Sequence, residues 1–164
     1  MLPHPQSARD FGREHFDNST ALRPSRASDV HLHFASVPLF AACSKKELRL
    51  LSKSAIIEPR ATGATLVTEG QVGSDAYIVL QGSCRVFRNG RRVGIVEAGG
   101  VVGELSMLNR APRNATVVAS SPLEVAILRR RDFLNLLEKS PSISFKLLEG
   151  LAARVQALDA RTPV

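Results

Sequence analysis

Between residues 56 and 128 the chain alternates apolar and polar positions in short runs, most of them closed by glycine. Runs of this length between turn signals read as half-buried strands. The predicted strands cover 55–58, 65–68, 76–80, 83–88, 92–97, 115–119 and 123–129, and Val101-Val102 is strand-like as well. Asn89-Gly90, set between Arg85-Val86-Phe87 and Arg92-Val93, is a strong signal for a two-residue type I′ hairpin. About eight short antiparallel strands at this spacing predict a mostly β fold, a jelly-roll-like β-roll with flanking helices.

On either side of the roll the period lengthens. Ser44-Lys45-Lys46-Glu47 has the spacing of a capping box and opens a helix through about Ser54, with Leu48 and Leu51 facing inward. A second helix over 131–139 places Phe133, Leu134 and Leu137 at helical spacing. Ser140-Pro141 then reads as the N-cap and first residue of a final helix, which carries Ile143, Leu147, Leu151, Val155 and Leu158 on one stripe. Order is expected to begin near Val37-Pro38-Leu39-Phe40. Residues 1–30 hold Pro, Ser, Asn and mixed charge without an apolar period, and are expected to form a flexible arm. The folded domain is therefore expected over 31–164.

Composition narrows the class. At 164 residues the chain is long enough for one domain with a proper core. No run approaches the roughly 18 apolar residues of a membrane helix, and Met1-Leu2-Pro3-His4-Pro5 opens no secretory signal. Cys43 and Cys84 are too few for a disulfide framework, so a reducing cytoplasm is the expected compartment. The net charge is +7, yet the arm is balanced, with four arginines against four acidic residues. Arg91-Arg92 and Arg129-Arg130-Arg131 are short clusters beside turns, aromatics are 5%, and Trp is absent. That pattern reads as a solvated basic surface rather than a nucleic-acid site. A positive field still speeds the encounter with a small anion.

One segment breaks the strand grammar. Gly103-Glu104-Leu105-Ser106-Met107-Leu108 places Leu105, Met107 and Leu108 like a single helical turn inside the roll. A short helix there exposes backbone N–H groups at its start. Gly103 lets a ligand approach the backbone. Glu104 is suited to accept from a hydroxyl, and the planar fork of Arg113 is suited to clamp a phosphate. A ligand with both a hydroxyl and a phosphate fits this set.

With Pro112-Arg113-Asn114-Ala115-Thr116-Val117 following, the segment resembles the phosphate-binding cassette of cyclic nucleotide-binding domains. That family includes the bacterial catabolite activator, the regulatory subunit of cAMP-dependent protein kinase and cyclic-nucleotide-gated channels. The family pattern runs approximately F-G-E-L-A-L, then P-R-x-A-T-V. Pro38-Leu39-Phe40, Glu69-Gly70, Asp75-Ala76-Tyr77-Ile78-Val79 and Gln81-Gly82 extend the resemblance over about residues 37–158. It implies that Glu104 accepts from the ribose 2′-hydroxyl and Arg113 binds the cyclic phosphate. Gly103, Leu105, Ser106, Asn114 and Ala115 would line the same site. Val102 departs from the family aromatic, and Asn114 stands where small Ala or, in many cGMP-preferring members, Thr is found. The missing Thr favours cAMP over cGMP as the ligand, and no cofactor is implied.

The resemblance also implies a lid from the final helix, with Leu151, Arg154, Val155 and Leu158 as candidates. Arg154 would stack on the base, or lie solvated while the leucines pack on the roll. The same helix is a candidate homodimer stripe. His31-Leu32-His33 matches half of a metal pair on a strand, but His4 and His15 fall in the arm, so a metal-dependent cupin lacks its remaining ligands. No Ser-His-Asp or Cys-His set can be composed from the β core. Met107 and Phe87 read as core, and Cys84 as a buried thiol. The chain is thus read as a non-enzymatic cAMP-binding regulatory module acting on an unidentified effector, without membrane insertion or nucleic acid. Two alternatives are part of a DNA-binding regulator of the catabolite-activator type, which needs a winged helix-turn-helix beyond the final helix, and a ligand-free interaction scaffold.

Overall fold

The computed structural model describes residues 22–161. The alternation predicted for the middle of the chain folds into eight strands: β1 Ile56–Arg60, β2 Thr65–Val67, β3 Ala76–Gln81, β4 Ser83–Arg88, β5 Arg91–Glu97, β6 Val101–Val102, β7 Thr116–Ala119 and β8 Leu123–Leu128. They pair antiparallel in two four-stranded sheets, ordered β1-β8-β3-β6 and β2-β7-β4-β5. The β4–β5 hairpin turns at Asn89 (φ 51°) and Gly90 (φ 74°), both left-handed as a type I′ turn requires.

Residue parity divides the core. In β8, Leu123, Val125 and Ile127 face the second sheet and pack with Val79, Cys84, Val102 and Val117. The intervening Ala126 and Leu128 face the helices and pack with Ala76, Ile78 and Leu80 of β3. All six β8 residues are buried because both faces of the strand are covered. Cys84 is buried, and the lack of water pushes its thiol pKa up. Phe87 is only half-buried, whereas Met107 is fully enclosed.

The helical layer comprises α1 Val30–Ala35, a 3₁₀ turn at Pro38–Phe40, α2 Lys45–Lys53, α4 Arg130–Lys139 and α5 Pro141–Asp159, while α3 Ser106–Asn109 lies within the roll sequence. Ser44 caps α2, its hydroxyl accepting from the Glu47 N–H at 3.2 Å. Phe34 and Phe40 stack with centroids 6.0 Å apart, and Phe133 closes on Phe40 at 6.4 Å. Such pairs add about 0.5–1.5 kcal/mol each beyond their buried area. Among the described residues no helix is long and apolar enough to cross a membrane.

Two expectations are corrected. His31-Leu32-His33 lies on helix α1, not on a strand, and order precedes Val37. Val30 and Phe34 sit one turn apart and are both buried, but six residues are too few to display a helical period. The stripe on α5 also divides. Ile143, Leu147 and Gly150 are buried, Leu151 is half-buried, and beyond it every described residue except Arg154 is exposed. Of the expected arm, residues 1–21 lie outside the described residues. The end of that segment meets the roll: the Ser25 N–H donates to the Glu124 carboxylate at 2.9 Å, and Gln81 Nε2 donates to the Arg23 carbonyl.

Candidate functional site

The site is built where β6 hands over to α3. After Val102 the chain turns at Gly103 (φ +75°), runs through Glu104 and Leu105 into α3, and leaves at Arg110 with a left-handed φ of 52°. It then returns past the β2–β3 loop, where the Arg113 N–H donates to the Gln71 carbonyl at 2.9 Å and the Arg113 carbonyl accepts from the Gly70 N–H at 2.8 Å. These two bonds fix the backbone of Arg113 before its side chain enters the roll.

The guanidinium of Arg113 is enclosed, with 9% of the residue exposed. Nη2 donates to the Asp75 carbonyl at 2.8 Å. Gly73 and Gly103 press on opposite parts of the group: a Cβ at Gly73 would lie 2.6 Å from Nε, and one at Gly103 would overlap Nη1. Gly103 is thus required twice, for its positive φ and for the space its missing side chain leaves. Nη1 itself is buried with no hydrogen-bond partner among the described residues. A buried charged donor left unpaired costs more than the ~1–3 kcal/mol of a neutral one, a cost that an anion reaching Nη1 would relieve. Close by, burial pushes the Tyr77 phenol pKa up, Asp75 adds to the rise, and the positive charge of Arg113 opposes it.

Arg113 opens into a cavity of about 540 Å³, within the size range of small-molecule sites. All seven residues expected from the cassette, Gly103, Glu104, Leu105, Ser106, Arg113, Asn114 and Ala115, line it. Of the four lid candidates, Arg154 lines the cavity, and its Nη1 donates to Glu104 Oε1 at 3.3 Å. Leu151 packs against the helical core instead. Val155 and Leu158 are 56% and 62% exposed, like Phe145 and Leu148 on the same helix, and take no part in the cavity. A purely solvated Arg154 is thus corrected to an ion pair with the cassette.

Sequence reasoning missed Arg88. Its side chain lines the cavity, and its Nε donates to the Asn114 carbonyl at 3.1 Å. The signal was parity, since Arg88 shares its strand face with Val86, also in the lining, and with buried Cys84. The Asp75 carbonyl was missed too. His31 and His33 do not line the cavity, and no group of three or more His, Cys, Asp or Glu is arranged to hold a metal among the described residues.

Comparison with known proteins places this geometry. The family described as the cyclic nucleotide-binding domain matches residues 58–140, which include β2 to β8 and the whole cassette. A cAMP-dependent protein kinase regulatory subunit from Hypocrea atroviridis is 30% identical over 128 residues, 78% of this chain and 26% of that protein. A cyclic AMP receptor protein from Thermus thermophilus is 30% identical over 102 residues, 59% of this chain and 47% of that protein. The crystal structure of the N-terminal domain of a transcriptional regulator from Streptomyces coelicolor A3(2) superposes with a TM-score of 0.71 at 29% identity, covering 77% of this chain and 94% of that one. The chain spans about a quarter of the length of the first curated relatives it matches.

Proposed function

The chain belongs to the cyclic nucleotide-binding domain family, and from that premise we propose that it binds cAMP in the cassette cavity and signals occupancy through α5. The observation that carries this reading is Arg113, which stands in the wall of a cavity of nucleotide size with its Nη1 buried and unpartnered. In this reading the cyclic phosphate, a single negative charge, takes the place at Nη1, while Nη2 stays on the Asp75 carbonyl. Glu104 accepts from the ribose 2′-hydroxyl. Gly103, Leu105, Ser106, Asn114 and Ala115 form the walls, and Asn114 in place of Thr favours the adenine nucleotide.

The Arg154–Glu104 contact supports the regulatory half of the proposal. It links the solvent-exposed end of α5 to the residue assigned to the ribose, so a ligand at Glu104 bears on where α5 rests. Nucleotide then shifts the population toward the form with α5 held on the cassette. The chain acts as a non-catalytic binding module whose output is a protein partner sensing α5. Cys43 and Cys84 are free thiols, which fits the reducing cytoplasm as its compartment.

Amide exchange with and without cAMP or cGMP tests both halves at once. Residues 103–114 report binding, and residues 150–160 report closure. The expected result is slower exchange in both segments with cAMP, and a smaller effect at the same concentration of cGMP. Unchanged exchange over 103–114 would overturn the binding site. Unchanged exchange over 150–160 alone would overturn closure, and equal or greater protection by cGMP would overturn the preference.

A further inference from the structure

A second cavity, of about 500 Å³, lies behind the cassette helix between Arg110, the β2–β3 loop at Asp75, and the start of α4. Four arginines line it: Arg110, Arg129, Arg130 and Arg131. Asp75 and Glu138 are the acidic residues of the same lining. None of the four guanidinium groups has a carboxylate within ion-pair distance among the described residues. One of them is partly fixed. Arg130 Nη1 donates to the Met107 carbonyl of α3, while its Nε is buried without a partner.

Four positive charges lining one cleft repel one another, and neither carboxylate neutralises them by contact. An anion seated among them removes that repulsion and gains charge-assisted hydrogen bonds from planar guanidinium forks. No aromatic side chain lines the cleft, so it offers no stacking surface for a base. Asp75 and Glu138 disfavour a continuous acidic polymer and leave room for a compact one.

The cleft shares parts with the nucleotide cavity. The Asp75 carbonyl holds Arg113 Nη2 on one side, while Asp75 lines the cleft on the other. Helix α3 carries Ser106 into the nucleotide cavity, and Arg110 at its end carries it into the cleft. We propose that the cleft of Arg110, Arg129, Arg130 and Arg131 is a second binding site for a compact anion bearing several phosphate groups, linked to the nucleotide site through α3 and Asp75. Linkage is reciprocal, so each ligand alters the affinity of the other by the same factor.

Calorimetric titration of inorganic tripolyphosphate into the full chain at fixed ionic strength tests the site. Saturable one-to-one binding is expected. The Arg129→Gln/Arg131→Gln double variant, whose changes lie on exposed residues outside the nucleotide cavity, should weaken it at least about tenfold. Arg113→Ala removes the phosphate clamp of the nucleotide cavity and should leave tripolyphosphate binding in place, with Arg113→Lys as the second control should the alanine variant fail to fold. Absent saturation, equal affinity in the double variant, or binding lost with Arg113 would each overturn the site. Tighter binding of hexaglutamate than of tripolyphosphate would overturn the phosphate assignment in favour of an acidic peptide. These arms use no nucleotide and stand apart from the proposed function. One further arm rests on it: tripolyphosphate should change cAMP affinity by at least about threefold in the parent chain and not in the double variant, and an unchanged affinity in the parent would overturn the linkage.

Discussion

At the scale of single residues, the site depends on how closely Gly103 and Arg113 approach. A methyl group at position 103 would meet Nη1 of Arg113 and lie 3.2 Å from the Asp75 carbonyl oxygen, on a backbone with φ +75°. Gly103→Ala is therefore expected to cost about 1–2 kcal/mol of stability from the left-handed backbone, and to weaken nucleotide binding at least about tenfold by displacing the guanidinium. Thermal melts paired with titration check this, and undiminished binding would show that Arg113 does not need its present position. That Gly103, Glu104 and Arg113 meet at one cavity was legible in the sequence, because their residue types and spacing single them out. The other half of the clamp was not. Asp75 contributes a backbone carbonyl, which every residue possesses, and Gly73 contributes only the space that it leaves beside Nε.

At the scale of elements, α5 is the informative case. Its first half buries Ile143 and Leu147 while Phe145 and Leu148 stay exposed. Gly150 then brings it so close to the 3₁₀ turn that a Cβ there would lie 2.9 Å from the Leu39 carbonyl oxygen. In sequence this glycine reads as a weak point, since Ala is favoured in a helix interior by up to ~1 kcal/mol. The packing reverses the sign: the neighbour is backbone and cannot move aside like a flexible side chain. Gly150→Ala should lower the melting temperature, by roughly 2–4 °C for each kcal/mol lost in a chain of this size. A higher melting temperature would mean that α5 is not held against the turn. The apolar spacing of Leu151, Val155 and Leu158 predicted one shared face, but periodicity does not state how far a partner surface extends. Helix α1 escaped notice for the opposite reason, being shorter than two full periods.

At the scale of the whole molecule, the strands follow from alternation and turn chemistry, which is why a roll was readable from sequence, whereas their order in two sheets joins strands as distant as β1 and β8 and was not. Nor was the placement of both cavities around α3, because it depends on which loops the roll brings together across long separations. Asp75 and Arg113 are 38 residues apart, and Glu104 and Arg154 are 50 apart. The net charge of +7, read as a general surface property, includes Arg113 in the cassette cavity and four arginines in the cleft behind it. The central claim is that the unpartnered nitrogen of Arg113 receives a cyclic phosphate. Calorimetric titration of cAMP into the parent chain, Arg113→Ala and Arg113→Lys addresses it most directly. The account predicts saturable one-to-one binding to the parent and a loss of roughly 2–5 kcal/mol in Arg113→Ala. Arg113→Lys should recover only part of that loss, because one ammonium cannot serve both the Asp75 carbonyl and the phosphate with the geometry of a guanidinium fork. Equal affinity for cAMP in the parent and in Arg113→Ala would contradict the account.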